Sequence, residues 1–122
     1  MRSFELLILA HLVGDYLVQT EFEAMNKALG PFWNRALWAH CSKYAACFIP
    51  VLALAGLSQW WLALIFFSHL FFDRRWPIIW WRRVVTHNSA ESIKATFWLT
   101  VVVDQIFHTL VLALIVIVSA SS

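Results

Sequence analysis

Three aspartates occur in the 122-residue chain, Asp15, Asp73 and Asp104, and each stands four residues from a histidine inside an apolar segment. The pairs are His11-Leu-Val-Gly-Asp15, His69-Leu-Phe-Phe-Asp73 and, in reverse order, Asp104-Gln-Ile-Phe-His108. Residues four apart share one face of a helix, so each pair offers an imidazole nitrogen and a carboxylate oxygen to a common point. His40 adds a fourth imidazole from the remaining apolar segment. Imidazole with carboxylate is the donor set of a divalent metal site, zinc first, with iron and manganese as alternatives. Seven donors exceed the need of one ion. The set therefore predicts either two metals about 3.5–4 Å apart or one metal with a surrounding shell of aspartates.

A carboxylate near mid-membrane costs about 2.5–3.5 kcal/mol on insertion scales, and a divalent cation would offset three of them. Two other readings stand beside the metal. One is a dry network in which each aspartate accepts a hydrogen bond from its own helix's histidine. The other is a bis-histidine haem, which uses the histidines and leaves the aspartates without a role.

The elements that must position these donors are apolar helices. The chain is 61% hydrophobic and 13% charged, with eight Trp and ten Phe, far from the roughly 45–50% and about 25% of soluble domains. This composition predicts an all-α polytopic membrane protein of one domain, residues 1–122, built as a four-transmembrane-helix bundle. The expected helices are about 4–20, 32–57, 58–75 and 89–118. The second is entered through Gly30 and Pro31 and contains Pro50, which should kink it; the third needs Ser58 as a cap. Asn88 and Glu91 form a capping box for the fourth. No cleaved signal peptide is expected, since Arg2 leads directly into apolar sequence containing His11 and Asp15. Cys41 and Cys47, six apart on one helix, are expected as packed thiols rather than a disulfide.

Basic residues set the expected orientation. Lys27 and Arg35 lie in the first connection and Arg74, Arg75, Arg82, Arg83 and Lys94 in the third, against Arg2 alone on the other side. The positive-inside bias makes those connections cytoplasmic and both termini external. RRWPIIWWRRVV reads as a short interfacial amphipathic element between helices 3 and 4. Its arginines would face anionic inner-leaflet headgroups and Ile78, Trp81 and Val85 the acyl chains. A basic loop that only sets topology is an equal alternative. With helices alternating in direction, all seven donors fall at one depth, in the cytoplasmic half of the bundle. The lipid bilayer is thus the expected partner, and no nucleic acid is expected.

Gln19, Thr100 and Gln105 are candidates for a second layer around the metals, with helix-to-helix hydrogen bonding as the alternative for each. Arg74 and Arg75 could clamp an anion at the site mouth, or simply determine topology. Lys43 is expected to snorkel to the inner interface, and Cys47 to pack. His87 falls in the basic loop and outside the site. Glu23 is the nearest acid available as a general base.

His11-Leu-Val-Gly-Asp15 followed by Gln19-Thr20, a lone histidine on the second segment, His69-Leu-Phe-Phe-Asp73-Arg74 and Asp104-Gln105-Ile-Phe-His108 together resemble a known family. It is the group of small bacterial membrane proteins termed domain of unknown function three-three-zero-seven. The resemblance spans essentially the whole chain and implies no activity. A looser likeness, through the His-x-x-x-Asp elements alone, is to membrane-bound metal-dependent hydrolases. The leading expectation is a metal-dependent hydrolase acting at the cytoplasmic face. The rivals are an ion or proton transport protein, which four short helices could build only as a homo-oligomer, and a structural subunit of a membrane complex whose metal clamps the helices.

Overall fold

The computed structural model describes residues 2–28 and 33–121, all in helices, turns and connections. Gly30, Pro31 and Phe32, expected to lead into the second helix, lie outside the described residues. Helix α1 spans Arg2–Leu12 and continues as a π-helical turn over Val13–Leu17. It is followed by α2 (Glu21–Asn26), α3 (Arg35–Leu54), α4 (Trp61–Phe72), α5 (Trp76–Val84), α6 (Ala90–Ala95) and α7 (Phe97–Ser121).

Local chemistry explains where these boundaries depart from expectation. The first helix stops at Leu17 and not at residue 20, because Thr20 starts a new helix. Its side chain accepts from Glu23 N while Glu23 Oε1 accepts from Thr20 N, a complete capping box. Asn34 caps α3 by accepting from Leu37 N at 2.7 Å. The far end of α3 closes on Gly56, at φ +70°. There Gly56 N donates to Ala53 O and Leu57 N to Leu52 O, the pair of bonds that terminates a helix on a left-handed glycine. Ser58 caps the turn before α4, its Oγ accepting from Trp60 N, and the helix proper begins three residues later.

The expected fourth helix is divided at Thr96. Arg82 Nη1 donates to Thr96 O and Nη2 to Thr96 Oγ1, drawing that residue out of helical conformation. The capping box expected from Asn88 and Glu91 does not form; Ser89 is the cap, accepting from Ser92 N. Asn88 instead accepts from the Thr86 hydroxyl.

Four helices form the bundle: α3 packs on α1 and α4, and α7 packs on the same two. One half of the interior is apolar, with Leu7, Phe48, Leu52, Ile65, Leu112 and Ile115 buried together. The other half holds His11, Asp15, His40, His69, Asp73 and His108, all buried. Tyr44 lies at the border. The outward surface is the inverse of a water-soluble one: along α7 alone, Val101, Val102, Ile106, Leu110, Leu114, Ile117 and Val118 are exposed. Two helices, Arg35–Leu54 and Phe97–Ala120, are long and apolar enough to cross a membrane, and Trp61–Phe72 is apolar but shorter.

The element expected at the interface is helical over Trp76–Val84, with Arg83 and Val85 exposed as expected, but its faces are reversed at Ile78 and Arg82. Ile78 and Arg82 are buried, and the ring of Trp81 meets Phe107 edge-on at 5.1 Å. Trp76, Ile79, Trp80 and Val84 face outward instead. The reversal follows from Arg82, whose guanidinium spans to Thr96 and to Thr100 Oγ1 at 3.0 Å and docks α5 against the start of α7.

Candidate metal centre

Glycine and a π turn bring α1 into the site. A Cβ on Gly14 would lie 2.6 Å from Tyr44 Cδ1 and 3.2 Å from Tyr44 Cα, so only glycine permits this approach of α1 to α3. The π turn, closed by Val18 N donating to Val13 O, inserts one residue into the helical repeat around Asp15. His11 Nε2 and Asp15 Oδ2 stand 3.8 Å apart, and both engage Gln105.

Asp15, His40, His69 and Asp73 converge. His40 Nε2 lies 2.8 Å from His69 Nε2, 3.1 Å from Asp15 Oδ1 and 3.0 Å from Asp73 Oδ2. His69 Nε2 lies 3.3 Å from Asp15 Oδ1 and 3.0 Å from Asp73 Oδ2. Donors about 2.0–2.1 Å from a tetrahedral zinc stand about 3.3–3.4 Å from one another; these atoms, 2.8–3.3 Å apart, are close enough to share one ion and stand slightly closer than that shell. All four residues are buried.

A second group shares Asp73. Its Oδ1 lies 3.4 Å from His108 Nε2, which is 3.3 Å from Asp104 Oδ1. Each oxygen of Asp73 therefore serves a different group, as in a carboxylate bridging two ions. Asp104 Oδ1 and His108 Nε2 are buried without a hydrogen-bond partner despite their close neighbours. A dry network would satisfy such atoms, whereas a cation needs no hydrogen and suits them. A haem between His40 and His69 is excluded by the 2.8 Å separation of their Nε2 atoms.

Of the seven expected donors, six enter these two groups. The other, His11, stands behind them with both ring nitrogens engaged: Nε2 donates to Gln105 Oε1 at 2.6 Å, and Nδ1 accepts from Tyr44 OH at 2.7 Å. Gln105 Nε2 in turn donates to Asp15 Oδ2 at 3.1 Å, leaving Oδ1 to face the histidines. The Tyr44 ring also stacks on His69, with centroids 3.7 Å apart, and so orients two imidazoles. Thr100 is buried but serves Arg82, and Gln19 accepts from Lys27 Nζ at 2.6 Å.

Lys27, read in the sequence only as a topology charge, approaches Asp73 Oδ2 to 3.0 Å. No spacing along the chain signals this contact, since α2 must first turn back over the bundle. Glu23 is occupied by its capping role and by Lys43 Nζ at 2.8 Å, while its Oε1 stands 4.0 Å from His40 Nδ1. Lys43 thus holds the α2 segment, also donating to Val18 O. Cys41 and Cys47 are free thiols, Cys41 buried and Cys47 partly so.

A cavity of about 160 Å³ opens beside both groups, and Asp15, Asp73, Asp104, Lys27 and Arg75 are in its wall. Arg74 is not in this wall. Arg75 reaches its place through a φ of +71°, an uncommon conformation for a side-chain-bearing residue, with its guanidinium 4.9 Å above the Phe97 ring.

Comparison with curated proteins and with solved structures finds no match. The looser likeness to membrane-bound metal-dependent hydrolases finds no support there. A protein family described as protein of unknown function (DUF3307) matches residues 4–122, nearly the whole chain, and the protein belongs to that family.

Proposed function

We propose that the protein is an integral membrane hydrolase that uses two divalent metal ions bridged by Asp73. The observation that carries this reading is the asymmetry of the two groups. The first offers four donors, enough to saturate a zinc-like ion, whereas the second offers three, and the cavity reaches both groups through Asp15, Asp73 and Asp104. Three protein ligands with an open position are the pattern of a catalytic ion. A metal there would lower the pKa of a bound water and polarise the group being cleaved. Asp15, His40 and His69 would hold the structural ion, Asp104 and His108 the catalytic one, with Asp73 common to both.

In this reading α1 with its π turn, α3, α4 and α7 span an inner membrane with the site toward the cytoplasm. The exposed apolar surface and the basic residues Lys27, Arg35, Arg74, Arg75, Arg83 and Lys94 near the site's end support it. Helix α4, with 12 residues, is about 18 Å long and shorter than a full span. It ends at Asp73, so the site stands where the helix stops and the cavity begins. The buried apolar half of the bundle argues against a transport path through one chain, since its cluster around Leu7, Phe48, Leu52, Ile65, Leu112 and Ile115 contains no charged side chain among the described residues.

The test is metal content and turnover of the purified protein, with and without a chelator. Two ions per chain and chelator-sensitive cleavage are expected. Activity that survives complete metal removal would refute the proposal, as would a metal-free protein that takes up no divalent ion at equilibrium.

A further inference from the structure

The cavity at the two metal groups does not end at polar walls. Tyr16, Val101 and Gln105 line it and equally line a groove of about 360 Å³ on the outer surface of the bundle. From this junction the groove continues along Val102, Ile106 and Leu110 of α7, all exposed. Polar chamber and apolar groove are thus adjacent, with Tyr16, Val101 and Gln105 as a common wall beside the π turn and α7. The aromatic groove beside α5 meets the chamber only at Phe72, whose ring is stacked on Phe107.

Charge selects what enters the chamber. Asp15, Asp73 and Asp104 would be outweighed by two divalent ions, and Lys27 and Arg75 add two further positive charges to the same walls. When Asp73 is engaged by metal, the Lys27 ammonium 3.0 Å from its Oδ2 is released to a group in the chamber. The chamber therefore suits a compact anion. Its volume is about that of an apolar cavity known to admit benzene, enough for a phosphate group.

Resting on the hydrolase reading, we infer that the substrate is a lipid phosphomonoester, taken laterally from the bilayer. Its phosphate lies between Lys27, Arg75 and the metals, and its hydrocarbon chain lies along Val102, Ile106 and Leu110. In the reaction the oxygen of water forms a bond to phosphorus and the bond from phosphorus to the lipid oxygen breaks. The proton given up by water passes to the departing oxygen, so the products are the lipid alcohol and inorganic phosphate.

The experiment compares long-chain phosphatidic acid in mixed micelles with the water-soluble p-nitrophenyl phosphate, using metal-loaded protein and two variants. Phosphatidic acid is expected to show the higher kcat/KM. Ile106→Trp fills the groove at an exposed position that leaves the core untouched. It should retain its metal content and lower the ratio of lipid to soluble kcat/KM about tenfold or more, the loss expected when two or more methylenes leave an apolar contact. Arg75→Gln should raise KM for both phosphoesters. Equal kcat/KM for the two substrates, or an unchanged ratio in Ile106→Trp with metals retained, overturns the lipid inference while leaving the hydrolase intact. Cleavage of carboxylic esters but of neither phosphoester overturns it in the same way. Absence of any turnover by the metal-loaded protein refutes the hydrolase reading itself.

Discussion

Replacing Asp73 with asparagine tests the bridge directly. The change keeps the side chain's volume and removes one charge, together with one of the two oxygens that face His40 and His69 on one side and His108 on the other. A four-donor structural zinc site binds with about 10–16 kcal/mol, or about 2.5–4 kcal/mol per donor, which corresponds to about 10²–10³ in Kd. Because Asp73 belongs to both groups, that loss falls on two ions at once. Asp73→Asn should therefore purify with close to no bound metal, while Asp15→Asn and Asp104→Asn each lose one ion and keep the other. A second consequence is separable. Lys27, 12% exposed, loses the carboxylate 3.0 Å from its ammonium, and breaking a buried pair costs up to about 3–5 kcal/mol, less at a cavity rim. Adding Lys27→Met to Asp73→Asn should restore stability without restoring metal. The assay is elemental analysis with equilibrium dialysis, beside thermal unfolding in detergent. If Asp73→Asn keeps one ion with its affinity within tenfold of the parent, the two groups do not share a bridging carboxylate and the two-metal reading fails.

Two further substitutions probe how the fold holds the site. Gly14→Ala pushes a methyl group to 2.6 Å from Tyr44 Cδ1, and overpacking of this kind costs about 1–3 kcal/mol; a lower unfolding midpoint together with weaker metal binding is expected, because Tyr44 orients His69 and His11, and an unchanged midpoint would show that the π turn tolerates separation from α3. Arg82→Ala removes three hydrogen bonds to Thr96 and Thr100 and should destabilise the protein by about 3 kcal/mol or more, given about 1.5–3 kcal/mol for each bond to a charged group. Arg83→Ala, one residue away and exposed, should shift the same unfolding curve by less than about 0.5 kcal/mol.

Several features of the site were legible in the chain because helix geometry is local. The recurring separation of four between His and Asp names five of the six donors that converge, and alternation of helix direction places them at one depth. The role of Gly14 is not visible in the sequence and emerges only from the approach of α1 to Tyr44. Arg82 was not legible: it stands among three other arginines and three tryptophans, a pattern typical of an interface, and only its docking onto Thr96 and Thr100 separates it from Arg83. Nor did the apolar periodicity of residues 89–118 show the break at Thr96, which a guanidinium from another helix imposes. His11 carries the same spacing as the other pairs, yet its Nε2 engages Gln105 at 2.6 Å and stands 3.8 Å from Asp15 Oδ2, outside both groups.

The sequence by itself determined the helical class, the apolar segments and the pairing of each aspartate with a histidine. These follow from composition and from the 3.6-residue repeat, which act within a few turns of chain. Only the tertiary structure decided that Asp73 presents one oxygen to each group, that His11 retires behind Gln105, and that Lys27 comes over the site. Those outcomes depend on how far each helix is rotated and displaced against its neighbours. Interhelical packing sets that rotation, through contacts such as Gly14 on Tyr44 and Arg82 on Thr96, between residues far apart in the chain.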